Sequence, residues 1–204
     1  EDHTGTLWIA TYRGLNRLGP DGAFQHYLHD PTDDRSLSDS WVLALAEDGE
    51  GRLWVGTYGG LDLFDRPSGT FRHFRHHPTD PESLSDDRIQ AIGEDADGDL
   101  WVGTVRGLNR FDRETETFTR YRHGSVDLTT ETIYELYADR EGAVWVGTLN
   151  AGLTLLPRGA GRPVQYRHHP ADPWSLNGDR VHSIFEDRSG ILWFGTWVGL
   201  NKYD

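Results

Sequence analysis

Gly98-Asp99-Leu100-Trp101-Val102-Gly103-Thr104-Val105-Arg106-Gly107-Leu108-Asn109-Arg110-Phe111-Asp112 is the stretch that decides the fold, because the chain writes it five times with small changes. The copies are centred on Leu7-Trp8, Leu53-Trp54, Leu100-Trp101, Val144-Trp145 and Leu192-Trp193, and their tryptophans stand 46, 47, 44 and 48 residues apart. That period lies in the range of propeller blades.

On either side of this copy, turn residues cut the unit into four short β-rich runs. Strand A is Ile89 to Glu94, B is Leu100 to Thr104, C is Leu108 to Asp112 and D is Phe118 to His123. The A–B connection, Asp95-Ala96-Asp97-Gly98, reads as a hairpin turn: Asp bonds back to the backbone and Gly accepts a positive φ. Gly69 plays the same part before Thr70 and Phe71. No segment carries a capped apolar period of 3.6, so the fold class is all-β, a β-propeller of four-stranded blades.

The chain opens at the end of a strand A and closes on a strand C at Asp204, which predicts four A, five B, five C and four D strands. We therefore expect one repeat domain over 1–204, with approximate blades 1–29, 30–77, 78–123, 124–169 and 170–204 and incomplete first and last blades. The repeated tryptophans become wedges between blades. Each ring buries about 150–250 Å² and contributes at most about 4–6 kcal/mol. A ring of five blades that does not close exposes edges and faces, which predicts a homodimer through the incomplete terminal blades.

Composition removes several functions. The 204 residues carry 33 acidic and 20 basic side chains, a net charge of −13, which disfavours a nucleic-acid partner. There is no cysteine, so thiol nucleophiles, disulfides and cysteine metal sites are absent, and the periplasm is permitted. No apolar run reaches the ~18 residues that suggest a membrane helix, so no membrane insertion of this segment is expected. Glu1 begins nothing that reads as a signal peptide, and the absence of an initiator methionine suggests that residue 1 is a boundary with flanking domains removed.

The run from Gly98 to Asp112 resembles the two-component regulator propeller repeat. So does the stretch from strand D into the next linker: Phe71-Arg72-His73-Phe74-Arg75-His76-His77-Pro78 and then Asp80-Pro81-Glu82-Ser83-Leu84-Ser85. The resemblance covers nearly the whole chain. It implies a periplasmic or extracellular ligand-sensing region of a hybrid histidine kinase, responding to polysaccharide fragments and having no catalytic residues of its own. Two alternatives stand beside it: a structural, self-assembling propeller fragment or engineered propeller with no ligand, and a propeller lyase or glycosidase.

Chemical motifs are sparse. His29, His76, His123 and His168 share one repeat position at the end of strand D. Equivalent positions on successive blades lie around the rim and cannot converge within the ~2–2.2 Å a metal requires, so they read as loop anchors and no metal site is expected. Asp95-Ala96-Asp97-Gly98-Asp99 looks like the start of a calcium loop but lacks the Gly and Glu that such a loop needs at its sixth and twelfth positions. The same turns also resemble the Asp-box of sialidases, without an arginine cluster and a paired Tyr and Glu. No nucleophile elbow, phosphate loop or His-Glu-x-x-His occurs, so no catalytic residue and no cofactor is assigned.

The functional signal is what the repeat leaves over. Trp41, Trp174 and Trp197 are not repeat tryptophans, and all three fall on D–A or B–C connections, which emerge on one face of a propeller. Tyr12, Arg13, Tyr58, Arg88, Arg106, Asn150 and Arg180 join them. Aromatic rings with a polar rim suit an oligosaccharide, whose C–H faces stack on rings, or a protein ligand; alternatively each ring packs its own loop.

Overall fold

In the repeat the Gly of Leu-Trp-Val-Gly-Thr has a steric cause. A Cβ on Gly103 would stand 2.6 Å from Ile133 Cγ2 of the following blade, so glycine lets adjacent blades close on each other near the axis. The computed structural model, which describes residues 1–123, 126–159 and 161–203, shows five antiparallel sheets stacked in this manner and no helix among those residues.

The first blade holds β1 (Trp8–Thr11), β2 (Gly14–Leu18) and β3 (Phe24–Tyr27), in B, C and D positions. The second has β4 (Val42–Glu47), β5 (Leu53–Thr57), β6 (Leu61–Asp65) and β7 (Thr70–Phe74). The third has β8 (Ile89–Glu94), β9 (Leu100–Thr104), β10 (Gly107–Asp112) and β11 (Thr117–Arg120). A short hairpin of β12 (Arg122–His123) and β13 (Val126–Asp127) comes next. The fourth blade has β14 (Ile133–Ala138), β15 (Val144–Thr148), β16 (Leu153–Leu156) and β17 (Val164–Tyr166), and the fifth has β18 (Val181–Glu186), β19 (Leu192–Thr196) and β20 (Gly199–Tyr203). The first blade thus lacks strand A and the last lacks strand D. Neighbouring blades pack through β4 on β8, β8 on β14 and β14 on β18; no packing of comparable extent joins the last blade to the first among the described residues.

One expectation is corrected. Strand D of the third blade does not run to His123: it ends at Arg120, and Arg122–His123 pairs instead with Val126–Asp127. This linker lacks the Pro-x-Asp-Pro-x-Ser-Leu-Ser segment found after β7, so the shorter connection folds on itself, helped by an Arg122–Asp127 ion pair at 2.8 Å.

The core lies between blades, in four clusters of one design. Trp8 and Leu15 of the first blade enter a nest of Leu37, Val42, Leu53, Val55, Phe64 and Phe71 supplied by the second. Trp54 and Leu61, then Trp101 and Leu108, then Trp145 and Leu153 repeat the insertion. Trp193 meets no further blade among the described residues and is only half-buried. Aromatic rings meet edge-on at the outer part of a junction, as in Trp54–Phe111 at 5.3 Å and Phe74–Phe111 at 5.2 Å.

Each tryptophan is tied to the turn six residues before it. Asp95 Oδ1 accepts the amides of Asp97 and Asp99, both at 3.0 Å, while Oδ2 accepts the Trp101 indole N–H at 2.8 Å. Asp2, Asp48, Asp139 and Asp187 repeat the arrangement on Trp8, Trp54, Trp145 and Trp193. Gly98, at φ +84°, closes that turn, where a side chain would be strained. Arginines of the next blade add a second tie. Arg66 bridges Asp2 and Glu47, both at 2.7 Å, and Arg113 bridges Asp48 at 2.8 Å and Glu94 at 2.6 Å.

Replacing Asp48 with Ala leaves two turn amides, the Trp54 indole and the guanidinium of Arg113 without their acceptor. We expect a loss of at least about 3 kcal/mol, read as a lower urea midpoint at an unchanged slope. Trp54→Phe, which keeps a ring in the core, should cost less than Asp48→Ala; the reverse order would show that the turn contributes little. Burial alone would push the Asp48 carboxyl up, but bonds from Trp54 and Arg52 hold it below its ordinary value. Its contribution is therefore complete near neutral pH and is lost as pH falls below about 4, a decline that Asp48→Ala should reduce.

Candidate functional site

Where strand A begins and the B–C connection turns, packing constrains the backbone more than the side chains. The Tyr58 amide donates to the Trp41 carbonyl at 3.1 Å, Val105 to Arg88 at 3.2 Å and Leu149 to Thr132 at 2.9 Å, so two side chains per blade are set next to each other on one face. Identity at these positions is free. They read Trp41 with Tyr58, Arg88 with Val105, Thr132 with Leu149 and Arg180 with Trp197.

The first two blades use that freedom for aromatics. Tyr12 lies 5.5 Å from Trp41, ring centre to ring centre, and Trp41 lies 5.0 Å from Tyr58. All three rings remain exposed. With Leu43 and Gln90 of the inner strands they line a cleft of about 390 Å³. A tilted contact between Tyr12 and Trp41 and an edge-on one between Trp41 and Tyr58 set the rings against each other without hiding their faces, which is what a stacking surface requires.

Beyond Tyr58 the rim is charged, with two arginines sharing one carboxylate. Arg88 Nε and Nη2 donate to the two oxygens of Asp86 at 2.8 and 3.0 Å, and Arg106 Nε stands 3.6 Å from the same carboxylate. Burial would push Asp86 up, yet the bonds from Arg88 and the charges of Arg88 and Arg106 hold it below the usual carboxylate range. On the fifth blade the Arg180 guanidinium sits 4.8 Å from the Trp197 ring centre, a cation–π contact. Arg13 and Asn150 are exposed; the Arg13 amide donates to Thr11 Oγ1 at 3.1 Å and the Asn150 carbonyl accepts Arg167 at 2.7 Å.

Trp174 does not join this face. Its repeat counterparts are Arg35 and Glu82, whose carbonyls accept the amides of Phe71 and Phe118 on the outer strand D. The D–A connection crosses the blade from rim to axis, and Trp174 belongs to its rim end. There it is 93% exposed and lines a different cleft with Tyr166, Asn201, Lys202 and Tyr203.

The repeated histidines anchor that same connection. Nδ1 of His29, His76 and His168 meets the carbonyls of Leu37, Leu84 and Leu176 at 2.7, 2.6 and 2.6 Å. The side chain of His123 lies outside the described residues. No group of three potential metal ligands occurs among the described residues.

Glu135 is not singled out by the repeat pattern. It occupies the bulge of β14 opposite Gly147, where the other blades place Ala44, Ala91 and Ser183. Burial pushes its carboxyl up to about 7. The only signal in the sequence is a charged residue at a position otherwise small.

Comparisons agree with the repeat. The family model described as two component regulator propeller matches residues 36–59, 83–106, 127–150 and 175–198. No curated protein matches the chain. Among solved structures, the extracellular domain assigned to hybrid two component system BT3049 of B. thetaiotaomicron is 26% identical with a TM-score of 0.83 over 100% of this chain and 28% of that one. The extracellular domain assigned to BT4673 of the same organism is 21% identical with a TM-score of 0.80 over 97% of this chain and 25% of that one. The chain thus spans about a quarter of either. Virginiamycin B lyase from Staphylococcus aureus shares the fold, at 14% identity and a TM-score of 0.65, over 99% of this chain and 67% of the lyase. No helix is long and apolar enough to cross a membrane among the described residues.

Glu135 makes stability depend on pH. Its folded value lies above the ordinary value of 4.5, so the protonated form favours folding and the contribution is lost as pH rises from about 4.5 through 7. Glu135→Gln, uncharged throughout, should flatten this decline, measured as the difference in melting temperature between pH 5 and pH 8. An unchanged difference in the variant would refute the assignment.

Proposed function

We propose that this chain, built of two-component regulator propeller repeats, is a non-catalytic recognition segment of a sensor's extracellular region and binds an oligosaccharide across the Tyr12–Trp41–Tyr58 cleft. The cleft carries the reading. Three exposed rings meet within 5.5 Å at positions that packing leaves free, and other blades place Arg88, Val105, Thr132 and Leu149 there. Pyranose rings offer C–H faces to such a platform, and Gln90 supplies a neutral hydrogen-bonding group beside it.

The charge pattern favours a neutral glycan. The net charge is −13, and Asp86 already engages both Arg88 and Arg106, the arginines beyond Tyr58. A polyanionic sugar would have to compete with that carboxylate and overcome the overall field.

A glycan array followed by calorimetric titration of the best neutral oligosaccharide tests the reading. Trp41→Ala and Tyr58→Ala should each weaken binding about tenfold or more with little change in melting temperature, since both rings are exposed. Trp101→Ala should lower the melting temperature first. Absence of any glycan ligand for the wild-type chain, or unchanged affinity in both cleft variants, would reject the proposal.

A further inference from the structure

The residue after the core leucine of strand C reads Asn16, Asp62, Asn109, Thr154 and Asn201 along the chain. In the third and fifth blades the neutral amide serves two partners. Oδ1 of Asn109 and Asn201 accepts the linker amides of Ser85 and Asn177, both at 3.0 Å. Nδ2 donates to the strand B carbonyls of Val102 at 3.0 Å and Phe194 at 3.2 Å. Asp62 keeps only the first partner, with Oδ2 accepting the Ser38 amide at 2.8 Å. It has no proton to give strand B, and its side chain is 0% exposed. An asparagine would serve the linker equally, so folding does not explain the charge.

The counter-charge is His73, the register partner of Asp62 on β7. Its Nδ1 lies 2.7 Å from Asp62 Oδ1 and its Nε2 lies 2.8 Å from the Asp34 carbonyl of the same linker. Both neighbours are acceptors, so only the doubly protonated ring satisfies them. Of the four blades with a strand D, the others pair Asn16 with His26, Asn109 with Arg120 and Thr154 with Gln165. The second alone joins a buried acid to a titratable base. The bond to Asp62 leads in holding the His73 pKa above its ordinary value of 6.5; burial opposes it, while the Asp62 charge and the Asp34 carbonyl add support. Arg75 on the same strand opposes the proton, and the linker brings Asp33 and Arg35, paired with each other at 3.7 Å.

This pair adjoins the Tyr12–Trp41–Tyr58 cleft. Ser38, whose amide Asp62 holds, comes three residues before Trp41, and its Oγ meets Oγ1 of Thr57, the residue before Tyr58, at 2.7 Å. The Tyr58 amide then closes on the Trp41 carbonyl at 3.1 Å. We infer that Asp62 and His73 form a proton-held clasp on the linker that carries Trp41, so that the cleft is fixed while His73 is charged and loosens when it is not. Control of ligand binding by this clasp rests on the reading of the cleft as a glycan site; the clasp itself does not. Because the folded value is raised, the contribution is complete below about 6.5 and is lost as pH rises through that higher value. A neutral ring leaves Asp34 or Asp62 without its donor, and Asp62 becomes a buried charge with no counter-charge.

Amide hydrogen exchange followed by NMR tests this without a ligand, with each rate expressed as protection relative to the intrinsic rate at that pH. In the wild-type chain, protection of the Ser38 and Tyr58 amides should fall by about tenfold or more between pH 6 and pH 9, as expected for loss of a bond to a charged group. The His73 ring resonances should titrate over the same range. Ser85 and Val105, the counterparts in the third blade, should keep constant protection. Asp62→Asn, which places there the residue found at Asn16 and Asn109, should keep Ser38 protected and abolish the pH response; His73→Gln, uncharged throughout, should abolish it as well. An equal response at Ser85 and Val105, a response that persists in Asp62→Asn, or a His73 ring that titrates below 6.5 would each overturn the proposal. A glycan screen without a ligand would reject the reading of the cleft and leave these exchange results unaffected.

Discussion

One carboxylate holds each junction of this protein. The aspartate that starts an A–B turn spends one oxygen on two amides of its own turn and the other on the indole N–H of the tryptophan six residues on. The first pair of bonds fixes the hairpin, and the third fixes the ring. Because that ring is the wedge entering the next blade, local turn geometry becomes interblade geometry. Burial raises the cost of charge on Asp2 and Asp48, yet the bonds they accept hold both below their ordinary values. A neutral amide could not serve all donors equally, since the arginine of the next blade adds a cation at Asp2 and Asp48.

The junction between the third and fourth blades departs from the others in several respects at once. Where Glu47, Glu94 and Glu186 accept a turn amide of the preceding blade, the fourth blade has Ala138. Arg158 engages Asp97, whereas Arg66 and Arg113 reach the turn-opening aspartates. Leu156 replaces the aromatic found at Phe64, Phe111 and Tyr203, and β17 has only three residues, so Trp101 meets Tyr121 without the further rings that surround Trp54. A cavity of about 560 Å³ lined by Trp101, Tyr121, Val144 and Leu156 opens there. Thr154 Oγ1 is buried without a partner in that blade, where Asp62 and Asn109 accept linker amides in theirs. Losing turn bond, rings and linker bond together makes this the junction at which local opening should require least energy.

The fold is legible in the sequence because a repeat multiplies weak signals. A single Asp-Gly turn or Leu-Trp pair says little, but five copies at one period leave few architectures, and these dictate the strand order. Strand D of the third blade is harder to read because its own residues stay β-prone through His123; what ends it is the missing linker motif, a long-range cause. The position of Trp174 is hidden for a related reason. Sequence assigns it to a connection, while only the structure shows that this connection travels the width of a blade. Glu135 is inconspicuous because its strangeness lies in burial, and the second role of the turn aspartates requires the fold of the tryptophan over the turn.

Packing and recognition are separated position by position in this design. Leu, Trp, Val, Gly and Thr of strand B are each committed to the neighbouring blade, to a close approach or to a hydrogen bond that closes the B–C turn, as Thr104 does to Gly107 at 3.1 Å. What remains free is the residue just before strand A and the residue after that threonine. Those two are joined by a backbone bond in the second, third and fourth blades, so their side chains are presented together whatever they are. The face can therefore change from aromatic at Trp41 and Tyr58 to arginine at Arg88 without disturbing the core beneath. An aromatic cleft on such positions reflects constraints other than folding, because the repeat neither needs it nor resists it.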